Sequence, residues 1–303
     1  MSDGAVELKS DLLSARIAPL GAELIALRDG DGKDLLWDGD PAWWTGRAPL
    51  LFPIVGRLPG DTLVHDGKHY PMAQHGFARR RPFELVSASN ERAVFRLLPD
   101  EETRKQYPFD FALTVTYTLL EATLTIDAEV ENPGTGVLPA SFGFHPAFRW
   151  PLPYEGKKEE HTLVFEKAEV EEIHRPVDGL LSAEGEPNPA VDIDIELYDD
   201  LFERDALIFL HVRSRHVRYG VPGQPGLEVA FPGMPQLGIW SKYKSPFLCI
   251  EPWSGYASPP GGSAEFMDKP GLSMIAPGEK KSFGMAIRWM SDVGRLHPPA
   301  EPR

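Results

Sequence analysis

Apolar and polar residues alternate with a period of two along most of this chain, which predicts strands nearly throughout. The clearest pair runs from Phe111 to Leu119 and from Thr123 to Val130, rich in Thr, Val, Tyr and Ile, and closed by Glu131-Asn132-Pro133-Gly134. Ala22 to Leu27 leads into Asp29-Gly30-Asp31-Gly32, a hairpin-type turn. Phe83 to Ser87 and Arg92 to Leu97 flank Asn90 as a second hairpin, and Leu272 to Ile275 with Ser282 to Trp289 predict a last one around Pro277-Gly278-Glu279. One short helix is expected across Pro99 to Gln106, where acidic residues precede Arg and Lys. The acidic stretch from Leu152 to Asp200 reads as strands with long surface loops, and the tail 297–303 as frayed. The expectation is one all-β domain over 1–296, a large antiparallel β-sandwich.

Two strand segments break the pattern in the same way. In Phe247-Leu248-Cys249-Ile250-Glu251-Pro252-Trp253, alternation puts Phe247, Cys249 and Glu251 on one face and Leu248 and Ile250 on the other. The strand is expected to end at Glu251, held extended by Pro252. In Ser141-Phe142-Gly143-Phe144-His145-Pro146, the residues Ser141, Gly143 and His145 share a face, and His145 again precedes a proline. Gly143 leaves room for something to lie against the sheet beside the imidazole. A titratable group on an apolar strand is costly unless it is paired, solvated in a cleft or used. A third segment, Gln74-His75-Gly76-Phe77-Ala78-Arg79, and the earlier Gly56-Arg57 place glycine directly against His75 and Arg57, as where backbone approaches a ligand or turns sharply.

Composition narrows the classes. At 303 residues the chain has room for two average domains or one large all-β domain. The formal charge of −14 argues against nucleic acid and acidic membrane surfaces as partners. No apolar run approaches a membrane span, and Met1-Ser2-Asp3-Gly4 lacks the regions of a signal peptide. The single cysteine, Cys249, excludes an intrachain disulfide and a cage of thiolates around a metal. These features fit a cytoplasmic protein, and leave monomer and homodimer both open.

The order and spacing of further segments carry a resemblance. They include Leu20-Gly21-Ala22-Glu23-Leu24, Leu36-Trp37-Asp38-Gly39-Asp40-Pro41, Phe52 to Arg57, His75 to Arg79, Tyr107-Pro108-Phe109, His145-Pro146-Ala147-Phe148, Leu237-Gly238-Ile239-Trp240 and Cys249 to Trp253. Together they resemble the aldose 1-epimerase (galactose mutarotase-like) superfamily, LacX-like branch, over most of the chain. The resemblance implies the supersandwich form of the fold, with a cleft on a concave sheet. It implies a small sugar as substrate and no cofactor or metal. Glu251 matches the family's general base and His145 its general acid. His75 matches a second histidine that holds the ring oxygen or a hydroxyl, Arg57 a substrate-binding arginine, and Asp205 a hydroxyl-binding aspartate. Arg79 stands in a segment that also resembles the hexose-6-phosphate mutarotases, where a guanidinium grips phosphate. Trp240 and Trp253 are candidates to pack against the sugar. One departure is Phe144, where a small residue is expected; its ring is expected to narrow the pocket beside His145.

Mutarotation needs one carboxylate and one imidazole across a pyranose, poised near neutral pH. Other classes remain open on the residues alone. His75, His145 and Glu251 are the donors of a two-histidine, one-carboxylate metal site, although no His-x-His pair anchors it. A glycoside hydrolase calls for a second carboxylate across the bond. A carbohydrate-binding protein on the same fold needs only the cleft.

Overall fold

The computed structural model describes residues 4–294 apart from 264; the tail expected at 297–303 lies outside the described residues. The alternation drives the architecture. Ala112–Leu120 and Thr123–Glu131 pair antiparallel across all nine positions, with Leu113, Val115, Tyr117 and Leu119 facing the same way as Leu124, Ile126, Ala128 and Val130. They lie inside a nine-stranded antiparallel sheet that runs in space from Asp194–Glu196 to Glu84–Ala88. A second sheet is smaller. Its order is Leu207–Phe209, Gln236–Trp240, Phe247–Ser254, Phe142–Phe144 and Leu50–Leu51, with Ala147–Arg149 also paired to Phe247–Ser254.

The two sheets share one core. Phe142, Phe144, Leu248 and Ile250 point from the smaller sheet into the same cluster as Leu124, Ile126 and Ile287 of the larger. Phe142 stacks on Phe283 with ring centres 5.1 Å apart. Each fully buried Leu or Ile here contributes about 1.5–3 kcal/mol. With its inner face committed to this core, the smaller sheet presents Glu251 and Trp253 on its other face to a pocket, while Cys249 on that face is covered by Trp37, Ala147 and Phe247.

The turn expected at Asp29-Gly30-Asp31-Gly32 forms, with Arg28 bridged to Asp34 across it, although the ladder partner of Leu24–Asp29 is the preceding strand Leu13–Ile17. The second hairpin forms where expected, as does the short helix Glu101–Arg104, whose Asp100 side chain accepts from the Thr103 amide in a reciprocal cap. Two details differ from expectation. Ser273–Ile275 and Lys280–Met290 are not a hairpin: the first pairs with Leu138–Ala140, the second lies between Thr123–Glu131 and Gly226–Ala230. The buried Asn132 holds this divergence, donating to the carbonyls of Gly136 and Ile275 while its own carbonyl accepts from Gly278. Finally, the strand Phe247–Ser254 runs on through Pro252, which opposes Leu237. The even-numbered amides of this strand face the neighbouring Pro146, to which Ile250 donates. The N–H that Pro252 lacks therefore falls where His145-Pro146 already interrupts that ladder.

Candidate active site

Two catalytic candidates arrive from adjacent strands. Glu251 is central in Phe247–Ser254, and His145 follows Phe142–Phe144 at the break beside it. Both are buried, and His145 Nε2 lies 3.1 Å from Glu251 Oε2. Burial pushes Glu251 well above the usual carboxylate range, Asp205's charge acts the same way, and the Trp253 indole opposes them. Burial pushes His145 below the usual histidine range; its own backbone works against this, and Arg79's charge adds to it. Both shifts favour the uncharged forms, carboxylic acid beside neutral imidazole, over a separated ion pair.

Glu251 and His145 form the floor of a cavity of about 320 Å³ whose walls include Trp44, Gln74, His75, Arg79, Asp205 and Trp240. That is near the lower end of small-molecule pockets, which span about 300–1,000 Å³. Trp44 stacks on the His145 ring at 4.9 Å, and Trp240 meets it edge-on at 5.8 Å.

His75 reaches the pocket through two interlocked loops. Its φ of +64° is in the left-handed region, a strain that surrounding contacts must hold. The His75 amide donates to Gly56 O at 2.8 Å, and the Gly56 amide donates to His75 Nδ1 at 3.1 Å. With Nδ1 accepting, the neutral ring carries its proton on Nε2. Burial, then His145 and Arg79, push His75 well down, so it is neutral at neutral pH. Gly76 (φ +71°) cannot be replaced cheaply, because a Cβ there would lie 2.2 Å from Phe52 O.

Asp205 also has positive φ, +72°, and lines the pocket beside the Leu207–Phe209 strand. Its carboxylate accepts from the Ala206 amide at 2.7 Å, and Arg175 clamps its carbonyl at 2.7 Å. Arg79 also lines the pocket. Its Nη2 donates to Gln74 O, its Nε is buried without a hydrogen-bond partner, and no carboxylate among the described residues pairs with it. Burial and Arg80 lower it to about 10. Arg57, by contrast, is absent from the walls. It stands at the rim, gripped by both carboxylate oxygens of Asp61 at 2.6 Å, against the Asp178-Gly179 turn.

Two sequence-based expectations for the neighbourhood are corrected. The room beside Gly143 is taken by Trp253: a Cβ there would lie 2.7 Å from the indole, and one at Gly238 2.6 Å from its far edge. The two glycines let the indole lie flat on the sheet. Phe144 does not narrow the pocket, because its side chain points into the core between the sheets. Trp44 was not anticipated. The signal was a Trp pair in the loop between Pro41 and Gly46, where aromatic rings have no strand to pack on.

Fold and pocket together define a β-sandwich protein with a carboxylate–imidazole pair under a monosaccharide-sized cleft. The family model for aldose 1-epimerase matches residues 4–285, and the chain belongs to that family. It is 33% identical over 300 residues to the plasmid-encoded protein LacX of Lactococcus lactis subsp. lactis, covering 93% of this chain and 99% of that protein. Among solved structures it is similar to a galactose mutarotase related enzyme from Lactobacillus acidophilus (TM-score 0.88, 30% identity, 95% and 98% of the two chains). A galactose mutarotase-like protein from Lactobacillus casei ATCC 334 follows with TM-score 0.87, 27% identity and 95% and 100% coverage.

Proposed function

We propose that this protein is an aldose 1-epimerase that interconverts the α and β anomers of a hexose by acid/base-catalysed ring opening and closure. The observation that carries this reading is the buried Glu251–His145 pair, 3.1 Å apart on the floor of the cleft. One proton on two basic groups is what the reaction borrows and returns. Glu251 takes the C1 hydroxyl proton while His145 protonates the ring oxygen as the C1–O5 bond breaks. The aldehyde turns about C1–C2, and the transfers reverse on the other face. The reactive tautomer, carboxylate with imidazolium, differs from carboxylic acid with imidazole only by proton transfer across that short contact. His75 donates from Nε2 to the ring oxygen or a hydroxyl, Asp205 accepts from sugar hydroxyls, and Trp44 and Trp240 offer ring surfaces to the pyranose.

Polarimetry of freshly dissolved α-D-glucose and α-D-galactose tests this. The approach to equilibrium should accelerate in proportion to added protein. Retained sugar binding with only the spontaneous rate, across a panel of free and phosphorylated aldoses, would leave a carbohydrate-binding protein instead. A second reading rests on Arg79: an unpaired guanidinium in the pocket wall favours an anionic sugar, which makes a hexose 6-phosphate the alternative substrate.

A further inference from the structure

The acid/base chemistry leaves one nucleophilic group unused. Cys249 lies two residues before Glu251 on the same strand face, fully buried among Trp37, Ala147 and Phe247. Its sulfur, one nitrogen of His145 and one oxygen of Glu251 all lie within 4.8 Å of one another. Metal–donor bonds of about 2.0–2.3 Å place tetrahedral donors about 3.3–3.8 Å apart. The histidine–glutamate separation of 3.1 Å is already close to that spacing, and a shift of about 1 Å brings the sulfur to it.

His145 presents Nε2 to this cluster, 3.1 Å from Glu251 Oε2, while its Nδ1 is buried with no hydrogen-bond partner among the described residues. Charge also fits. Thiolate, carboxylate and neutral imidazole sum to minus two, so a divalent cation makes the buried cluster neutral, whereas an isolated charge there is costly. Asp205 favours a cation on this floor and Arg79 disfavours it; both line the pocket. Thiolate and imidazole together select zinc or cadmium over magnesium or calcium.

We propose that His145, Cys249 and Glu251 form an inhibitory three-donor site for a thiophilic divalent cation, Zn²⁺ being the physiological candidate, with the fourth position open to the pocket. Binding sends the thiol proton and the proton shared by the pair to solvent; nothing is oxidised or reduced. The inhibitory part rests on the proposed catalytic role of the pair, but the binding part does not.

Chelator-stripped protein titrated with Cd²⁺ should develop a thiolate-to-cadmium charge-transfer absorption that saturates at one ion per chain. Zn²⁺ should slow anomerisation, and a chelator should restore it. Cys249→Ala and Cys249→Ser, each compared with its own metal-free rate, should need at least about tenfold more Zn²⁺ for half-inhibition, and the alanine variant should lose the absorption. Should neither fold, His145→Ala and Glu251→Gln should each weaken cadmium binding at least about tenfold in a chain that keeps Cys249. No charge-transfer band in the native protein, or equal zinc sensitivity in Cys249→Ala, overturns the proposal. A protein with no anomerase activity that still shows the band keeps the metal site and discards the catalytic reading.

Discussion

Glu251 is an acid held where ionisation is unfavourable, and that has consequences for both rate and stability. Glu251→Gln should preserve the fold but lower the anomerisation rate by about a hundredfold or more, because the amide cannot accept the C1 proton. Near-native turnover in a folded Gln variant would remove Glu251 from the mechanism. The stability consequence has a definite sign. A carboxyl whose folded pKa is raised contributes stability that is present below its unfolded value of 4.5 and lost as pH climbs through the folded value. The glutamine variant escapes that loss, so its Tm should gain on the native protein as pH rises from about 4.5 to 8. A Tm difference that does not change with pH would contradict the burial argument. Among the histidines, His145→Ala should lose about a hundredfold or more, and His145→Asn nearly as much. His75→Asn should lose less, since His75 is neutral and positioned only to donate a hydrogen bond. Initial polarimetric rates rank the three variants, and the reverse order would exchange the two histidines' roles.

Strands and loops place these residues, and small residues at their contacts set the tolerance. Gly143→Ala brings a methyl group to 2.7 Å from Trp253 and 3.1–3.2 Å from Val55 and Leu51. Thermal or denaturant unfolding should record a loss of about 1–3 kcal/mol, with a lower anomerisation rate because Trp253 is pushed away from Glu251. Native stability and rate in that variant would mean that the indole has somewhere else to go. The alternation that buries Leu248 and Ile250 and turns Cys249 and Glu251 to the other face was legible in the sequence, because it is a local property of a strand. So were the hairpin Glu84–Ala88 with Arg92–Leu97 and the short helix after Pro99. Partner choice was not: the strand Ser273–Ile275 is claimed by Leu138–Ala140, more than a hundred residues away. The same limit hid the details of the pocket. Nothing local to Gly143 says that Trp253 fills its space, nothing near Arg57 distinguishes rim from wall until Asp61 folds back onto it, and Trp44 meets His145 only through a long-range contact.

At the scale of the whole molecule, a chain of net charge −14 carries an unpaired guanidinium in its pocket wall, and these two facts oppose each other for an anionic sugar. Distance decides between them. At about 0.1 M ionic strength the screening length is about 10 Å, so scattered surface carboxylates act weakly on a ligand already in the cleft. Arg79, in the pocket wall and partly desolvated, is screened much less. If a phosphorylated hexose is the substrate, glucose 6-phosphate should exceed glucose in kcat/KM, and the advantage should shrink as salt rises. Arg79→Ala should abolish the preference while leaving turnover of free glucose nearly unchanged, because the proposed proton transfers belong to Glu251 and His145. Arg57→Ala separates rim from wall: Arg57 is committed to Asp61, so its loss should alter the phosphate preference far less than loss of Arg79. Coupled-assay or polarimetric kcat/KM for both sugars, at low and high salt, measures all of this. Equal efficiency on the two sugars in the native protein would remove phosphate recognition and leave a free aldose as the substrate, with Arg79 binding a sugar hydroxyl.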